Sequence, residues 1–113
     1  MAITLYGIPN CDTVRRARSW LSEHGHAAAF HDFKKQGVPA EALDTWIAAL
    51  GWEGLLNRQG TTWRKLDEDR RAAVTDAASA RALMLAEPSV IKRPVVDWGG
   101  RWTVGFDPSA WPG

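Results

Sequence analysis

The sequence predicts an α/β fold built on a mixed four-stranded β-sheet that is flanked by helices. Three observations support this prediction. A strand pattern, a helix pattern and a second strand pattern open the chain, a long helical stretch fills its middle, and two short strand patterns joined by Gly-Gly close it. A β-α-β start implies two parallel strands joined by a right-handed helical crossover, and a closing hairpin adds an antiparallel strand.

The β-α-β pattern occupies the first third of the chain. Residues 2–6 form the first predicted strand, and the turn residues 7–10 ("GIPN") end it. A helix is predicted from Asp12 to about His24, because apolar residues recur on one of its faces. Residues 27–33 ("AAAFHDF") form the second predicted strand, which ends at Phe33. The apolar stripe of the helix consists of Val14, Ala17 and Leu21.

The middle of the chain is predicted to be helical. Residues 38–51 form a helix with Pro39 in its first turn, where proline is well tolerated. A short helical turn with a loop around Gly60, a short charged helix and a longer helix stopped by Pro88 follow. We interpret residues 38–88, approximately, as a helical insertion.

The closing hairpin is predicted from the turn residues around it. Pro94 opens a strand that contains residues 95–96, a position at which proline removes no central ladder bond. The glycines 99–100 form the turn into the last predicted strand, residues 101–106. The order β-α-β, helical insertion, hairpin is the outline of the thioredoxin fold. A length of 113 residues indicates a single domain, residues 1–113.

Composition excludes several classes of protein. A net charge of +1 argues against a generic nucleic-acid or anionic-membrane binder, and no apolar run approaches the ~20 residues of a membrane span. One cysteine and three scattered histidines show no metal-ligand spacing, so no metal site is expected. The single cysteine and the lack of a signal-peptide pattern predict a cytoplasmic protein, and we expect a monomer.

Cys11, the only cysteine, lies between the first predicted strand and the first predicted helix. A thiol reacts as its thiolate, and a helix N-terminus lowers the pKa of a thiol placed there. Arg15 and Arg93 could add positive charge, whereas the carboxylate of Asp12 opposes ionisation. Many free cysteines are simply small buried apolar residues. The turn residues around Cys11, past the end of a strand, favour the reactive interpretation.

The absence of a second thiol constrains the chemistry of Cys11. Val14 stands where a Cys-x-x-Cys motif would have its second cysteine. A mixed disulfide or sulfenic acid on Cys11 would therefore be resolved by an external thiol. Glutathione is the expected co-substrate, with cationic side chains or backbone N–H groups binding its carboxylates, and no bound cofactor is expected. Asn10 and Thr13 are expected to cap the helix or to orient the thiolate.

Three segments resemble a known family, namely "YGIPNCDTVRRARSWL", "LLNRQGTTWRKL" and "IKRPVV". With them the chain resembles the ArsC/Spx family of thioredoxin-fold proteins, most closely its YffB-like branch, as far as about Trp111. The resemblance implies a glutathione-dependent thiol reductase with Cys11 as its nucleophile. It also implies that Pro94 is a cis-proline facing the cysteine.

The arsenate reductases of this family bind the oxyanion with three arginines. The resemblance places an arginine of this sequence at only one of the three positions. One of them falls on Arg93. The first falls on Asn57, with Arg58 one place away, and the third falls near Gly105, with Arg101 some residues earlier. Each arginine missing from the oxyanion site removes charge-assisted bonds worth about 1.5–3 kcal/mol. A glutathione- and glutaredoxin-coupled arsenate reductase is therefore kept as the first alternative.

The Spx regulators of the same family carry a Cys-x-x-Cys switch at this turn and bind RNA polymerase. Val14 excludes a switch of that type but leaves a non-catalytic, protein-binding regulator as the second alternative. The expected partners are glutathione, glutaredoxin and a small oxyanion or disulfide substrate. The predicted catalytic residues are Cys11 and Arg93, and the predicted substrate or glutathione contacts are Asn10, Asp12, Thr13, Asn57, Arg58 and Pro94.

Overall fold

A computed structural model describes residues 3–111 of the chain, in which four strands form one sheet. They are β1 (Ile3–Gly7), β2 (Ala28–Asp32), β3 (Val95–Asp97) and β4 (Trp102–Val104). The strand order is β2-β1-β3-β4, with β1 parallel to β2 and the other two pairs antiparallel. The predicted mixed four-stranded, thioredoxin-like sheet is confirmed. Ala2, with which the first predicted strand began, lies outside the described residues.

The chain divides into two compact units. The first contains the residues up to Gly37 and those from Arg93 onward, and it holds the whole sheet. The second is Val38–Lys92 and is helical. The first unit also holds α1 (Asp12–Glu23) and the short α2 (Phe33–Gln36).

Helix α1 packs its predicted apolar stripe into the core of the first unit. Val14, Ala17 and Leu21 are all buried, as the spacing of the stripe predicts. Burial of a valine or leucine side chain is worth about 1.5–3 kcal/mol, so Val14 and Leu21 hold α1 firmly against the sheet. Gly25 follows the helix with a φ of +74°, as expected of a glycine at a helix C-terminus. The buried residues of this core are Ile3, Leu5, Val14, Ala17, Leu21, Val96, Trp98 and Trp111.

The predicted end of β2 at Phe33 is wrong, because Phe33 begins helix α2. Asp32 is the N-cap of that helix, and its side chain accepts a hydrogen bond from the Lys34 N–H at 2.8 Å. This local bond competes with continuation of the strand. Gly37, with a φ of +70°, ends the helical turn.

Five helices and a 3₁₀ turn form the second unit. They are α3 (Ala40–Leu50), α4 (Trp52–Leu55), α5 (Thr61–Lys65), α6 (Glu68–Ala72), α7 (Ala77–Ala86) and the 3₁₀ turn Pro88–Val90. An antiparallel bridge between Leu56 and Ile91 joins the loop after α4 to the end of the unit. Within residues 3–111, no helix is long and apolar enough to cross a membrane.

Two predictions for the second unit need correction. Pro39 is the N-cap residue of α3 and not part of its first turn. The residues after Gly60, which the sequence predicts as a loop, form the five-residue helix α5. The backbone of Gly60 is extended, and its carbonyl accepts a hydrogen bond from the Arg64 N–H at 3.2 Å. This bond closes one helical turn. A helix of this length is too short for hydrophobic periodicity to reveal.

The closing hairpin has the predicted glycine turn. Val95 pairs with Val104 and Asp97 with Trp102, and Gly99 and Gly100 both have positive φ angles. The Asp97 carboxylate accepts the Gly99 N–H at 2.8 Å, which stabilises the turn.

Candidate functional site

Cys11 is the N-cap residue of α1, at the end of the turn that follows β1. Its N–H donates to the Ile8 carbonyl at 3.4 Å, and its own carbonyl accepts the Arg15 N–H at 2.9 Å. The residue is half-buried and packs against the core of the first unit. It is therefore neither a fully exposed thiol nor a fully buried apolar residue.

The first turn of α1 presents backbone N–H groups to the sulfur of Cys11. The side chain of the N-cap residue, Cys11, forms no cap hydrogen bond. The expectation that Asn10 and Thr13 cap the helix or orient the thiolate stays a prediction. Because a helix start leaves its first N–H groups without intrahelical partners, those of Thr13 and Val14 are available to a negative sulfur.

Several opposing effects act on the pKa of the Cys11 thiol. Burial, the largest single effect, raises this pKa. The Val14 N–H, the Arg93 guanidinium and the Thr13 N–H favour the thiolate, and together they outweigh burial. The pKa of Cys11 consequently lies below its ordinary value, which increases the thiolate fraction at neutral pH.

Arg93 reaches Cys11 because β3 runs antiparallel to β1. Tyr6, near the end of β1, pairs with Val95 at the start of β3, so the residues before β3 lie beside the turn after β1. The Arg93–Pro94 peptide bond is cis, which confirms that Pro94 is a cis-proline; its expected contact with substrate or glutathione stays a prediction. Arg93 is half-buried, so its charge is less screened by water than that of an exposed arginine.

The end of β1 and the first turn of α1 approach each other closely at Gly7. A Cβ atom on Gly7 would lie 2.9 Å from Cγ2 of Val14. Only glycine fits this approach without movement of the helix or of the Val14 side chain. Gly7 therefore helps to position the N–H groups that face the Cys11 sulfur.

The charged residues that follow Cys11 in the sequence form an ion pair with each other. Asp12 and Arg15 form an exposed ion pair with each other, one helical turn apart. Lys34 of α2 donates to Oδ1 of Asn10 at 3.4 Å and so brings a further cation to the turn before Cys11. The sequence contains no pattern that links Lys34, which follows the second strand, to Asn10.

The other two predicted contact residues, Asn57 and Arg58, belong to the second unit. The Asn57 N–H donates to the Val90 carbonyl at 2.8 Å, and its Oδ1 accepts the Gln59 N–H at 3.1 Å. The Arg58 guanidinium lies over the rings of Trp52 and Trp63. The first unit thus brings together Cys11, Thr13, Val14 and Arg93, whereas Asn57 and Arg58 are placed in the helical unit.

The position expected near Gly105 for a third arginine is unsuited to one. Gly105 has a φ of +82°, a conformation that favours glycine, and its N–H donates to the Pro94 carbonyl at 2.9 Å. Arg101 lies at the turn end of the hairpin, where its carbonyl accepts the Trp98 N–H. Gly105 and Pro94 lie at the opposite end of the hairpin. Arg101 therefore does not take the place of the missing arginine.

These features define a thioredoxin-fold protein with a one-cysteine site at a helix N-terminus. The family model of the ArsC family matches residues 6–112, and the chain belongs to that family. The predicted family resemblance is thereby confirmed.

Similar proteins agree with this assignment. A solved protein named YffB (PA3664) is 55% identical, with a TM-score of 0.90, 96% of this chain covered and 94% of the other. A solved arsenate reductase (ArsC) related protein from Brucella melitensis is 56% identical, with a TM-score of 0.78 and coverages of 96% and 90%. The global transcriptional regulator Spx of Streptococcus agalactiae is 29% identical over 93% of this chain and 77% of its own length.

Proposed function

We propose that this protein is a glutathione-dependent thiol reductase that uses Cys11 as its nucleophile. The observation that carries the proposal is the site of Cys11 at the start of α1. There the Val14 and Thr13 N–H groups and the Arg93 guanidinium hold its pKa below the ordinary value. Similarity to an arsenate reductase related protein supports reductase chemistry, and the single cysteine requires an external thiol.

The proposed reaction has three thiol–disulfide exchanges, of which the first two involve Cys11. The Cys11 thiolate attacks one sulfur of a substrate disulfide, forming a mixed disulfide and releasing the other sulfur as a thiolate. A glutathione thiolate then attacks the substrate-derived sulfur of that mixed disulfide. This step forms a glutathione–substrate disulfide and releases the Cys11 thiolate. A second glutathione thiolate attacks the glutathione sulfur of that disulfide, forming oxidised glutathione and releasing the remaining substrate thiolate. Overall, the substrate disulfide is reduced to two thiols by two electrons, which come from the two glutathione molecules.

Oxidised glutathione provides the direct test. Reduced protein mixed with oxidised glutathione is expected to gain one glutathione on Cys11, and reduced glutathione is expected to remove it. Intact-mass spectrometry measures both steps. The Cys11→Ser protein, which keeps the backbone around the site, is the matched control and should gain nothing. An unmodified wild-type protein whose thiol alkylates with an ordinary pKa would contradict the proposal.

Arsenate reduction is a second candidate, favoured by the similarity to the Brucella melitensis protein. Arg93 matches one of the three arginine positions, while Asn57 and Gly105 replace the other two. A turnover assay with arsenate, glutathione and glutaredoxin separates the two enzymes. Turnover that depends on Cys11, without reduction of glutathione mixed disulfides, would favour the arsenate reductase.

A protein-binding regulator is a third candidate, favoured by the similarity to Spx. Val14 in place of a second cysteine leaves no internal disulfide switch, so such binding would not depend on redox state. Capture of RNA polymerase that is equal with wild-type and Cys11→Ser protein, without any glutathione adduct, would favour this function.

A further inference from the structure

A pocket lies between α1 and β2, the strand at one edge of the sheet. It has a volume of about 250 Å³, and residues of the first unit alone line it. Two of them, Arg18 and Ser22, lie about two and three helical turns along α1 from Cys11. The pocket is therefore separate from the thiol site.

The pocket exists because a small residue occupies a position of β2 that faces α1. Ile3 pairs with Ala28 and Leu5 with Phe30. Paired residues of neighbouring strands project to the same side of a sheet. Ile3 and Leu5 are buried in the core to which α1 contributes, so Ala28 and Phe30 also face α1. The methyl group of Ala28 leaves a space that a larger apolar side chain would fill.

The inner wall of the pocket is apolar. Leu5 and Leu21 line it and are 1% and 2% exposed, and the half-buried Phe30 lines it as well. Such a wall favours a ligand with an apolar group, because contact removes the apolar surface of both partners from water. An apolar cavity of about 150 Å³ is large enough for benzene. A volume of 250 Å³ therefore accommodates one aromatic ring together with a polar group.

Arg18 brings a positive charge to this apolar wall. Its guanidinium carbon lies 4.4 Å from the centroid of the Phe30 ring. Stacking on a ring orients the guanidinium plane and leaves the N–H groups in that plane able to bind a ligand. The ion pairs found within residues 3–111 involve Arg15, Arg70 and Arg81, and Arg18 takes part in none of them. None of the described residues that line the pocket carries a carboxylate, so a bound anion meets no like charge there.

The C-terminal end of α1 forms a polar wall whose backbone is already hydrogen-bonded. The Gly25 N–H donates to the Ser22 carbonyl at 3.2 Å, and the His26 N–H donates to the Leu21 carbonyl at 2.9 Å. With the positive φ of Gly25, these bonds form a Schellman motif, and they reduce the partial negative charge of the helix end. The His26 ring is held edge-on to Trp98, with their centroids 6.2 Å apart. This wall is therefore shaped before any ligand binds, which reduces the entropic cost of binding.

We propose that this pocket binds a small carboxylate that carries an aromatic ring. The carboxylate pairs with Arg18, the Ser22 hydroxyl supplies a further donor, and the ring packs against Leu5 and Leu21. A free aromatic acid and the carboxy-terminal residue of a peptide both offer this chemistry. The proposal goes beyond the thiol chemistry and holds whether or not Cys11 reacts.

Matched acid and amide probes test the proposal. 3-Phenylpropionate and 3-phenylpropanamide are titrated into the wild-type protein at constant ionic strength, and the backbone amide shifts of residues 18–30 are recorded by NMR. We expect saturable shifts with the acid and binding of the amide that is weaker by about tenfold or more, the loss expected for one charge-assisted contact. N-acetylglycyl-phenylalanine and its C-terminal amide form a second pair. Tighter binding of the peptide acid than of 3-phenylpropionate would identify a peptide terminus as the ligand, and the reverse would identify a free acid.

Two pocket variants and two matched controls assign the site. Arg18→Gln is expected to lose the preference for acid over amide. Arg16→Gln removes the same charge from an exposed position of α1 that does not line the pocket, and should keep the preference. Ala28→Leu fills the pocket and is expected to abolish binding of both probes without lowering the Tm, because the added carbons contact its apolar wall. Ala27→Leu adds the same carbons at an exposed position outside the pocket and should bind as wild type does.

The proposal is overturned if the acids do not saturate, if the amides bind as tightly as the acids, or if Ala28→Leu binds them normally. Ala28→Leu keeps the test informative, because an unchanged Tm shows that any loss of binding does not come from unfolding. The probes contain no sulfur and do not react with Cys11. A failure here leaves the glutathione adduct on Cys11 unaffected, and the two proposals therefore fail separately.

Discussion

Cys11 and Arg93 lie far apart in the sequence and come together through the pairing of β1 with β3. The sequence places Cys11 at a helix start because a strand pattern, turn residues and an apolar stripe surround it. In the sequence, only the proline that follows Arg93 distinguishes it from the other arginines. The contribution of the Val14 N–H has no sequence signal, because every residue except proline carries a backbone N–H.

Removal of the Arg93 charge is expected to raise the pKa of Cys11. In the Arg93→Gln protein the guanidinium no longer favours the thiolate, while burial still favours the neutral thiol. The pH dependence of the iodoacetamide alkylation rate measures the shift. Arg101→Gln, which removes an exposed arginine from the other end of the hairpin, should leave the profile unchanged.

The same variant changes how stability depends on pH. Because folding lowers the pKa of Cys11, its ionisation stabilises the fold fully above the unfolded pKa, and this contribution is lost as the pH falls through the folded pKa. The Arg93→Gln protein should show a smaller loss across that window in chemical unfolding at a series of pH values. An equal pH dependence in both proteins would contradict the assigned role of Arg93.

Among the helices and strands, the sequence predicts the ones that have a clear hydrophobic periodicity or a clear terminating residue. Helix α1 is predicted nearly to its last residue because its apolar stripe and Gly25 agree. Helices α2 and α5 are missed, since each is one turn long and held by local hydrogen bonds.

The close approach of β1 and α1 predicts a specific effect of Gly7→Ala. The new methyl group would lie 2.9 Å from Val14 Cγ2, and such overpacking costs about 1–3 kcal/mol of unfolding free energy. Urea unfolding measures the loss, and alkylation should show that the Cys11 pKa has moved as well.

Gly54→Ala is the matched control for Gly7→Ala. It adds the same methyl group within α4, where a Cβ meets no atom within 4 Å. It should be neutral or stabilising by up to about 1 kcal/mol, since alanine favours a helix more than glycine does. Equal destabilisation by the two substitutions would show that the approach at Gly7 is not tight.

On the scale of the whole molecule, the two units differ in what the sequence reveals. In the first unit, Val14 and Val96 come from patterned elements that predict their burial. In the helical unit, the Leu56–Ile91 bridge and the Arg58 stacking join segments without periodic pattern. Side-chain chemistry that depends on such contacts is visible only in three dimensions.

Trp111 packs in the aromatic part of the first unit's core, beside α1, and its removal is therefore expected to have a large effect. Its ring lies edge-on to Trp98 and Phe106 at 5.0 Å and to Trp20 of α1 at 5.4 Å, and the residue is 6% exposed. Truncation of a buried tryptophan to alanine costs about 3–5 kcal/mol. For a domain of this size, that loss lowers the Tm by more than about 10 °C.

Thermal unfolding followed by circular dichroism tests the prediction on the full chain. Trp111→Phe retains an aromatic ring in the same place and is expected to lose much less stability than Trp111→Ala. Because Cys11 packs against this core, Trp111→Ala should also slow glutathione addition, whereas Trp111→Phe should react nearly as wild type. A Trp111→Ala protein with an unchanged Tm would show that the C-terminal segment is not needed to close the core beneath the site.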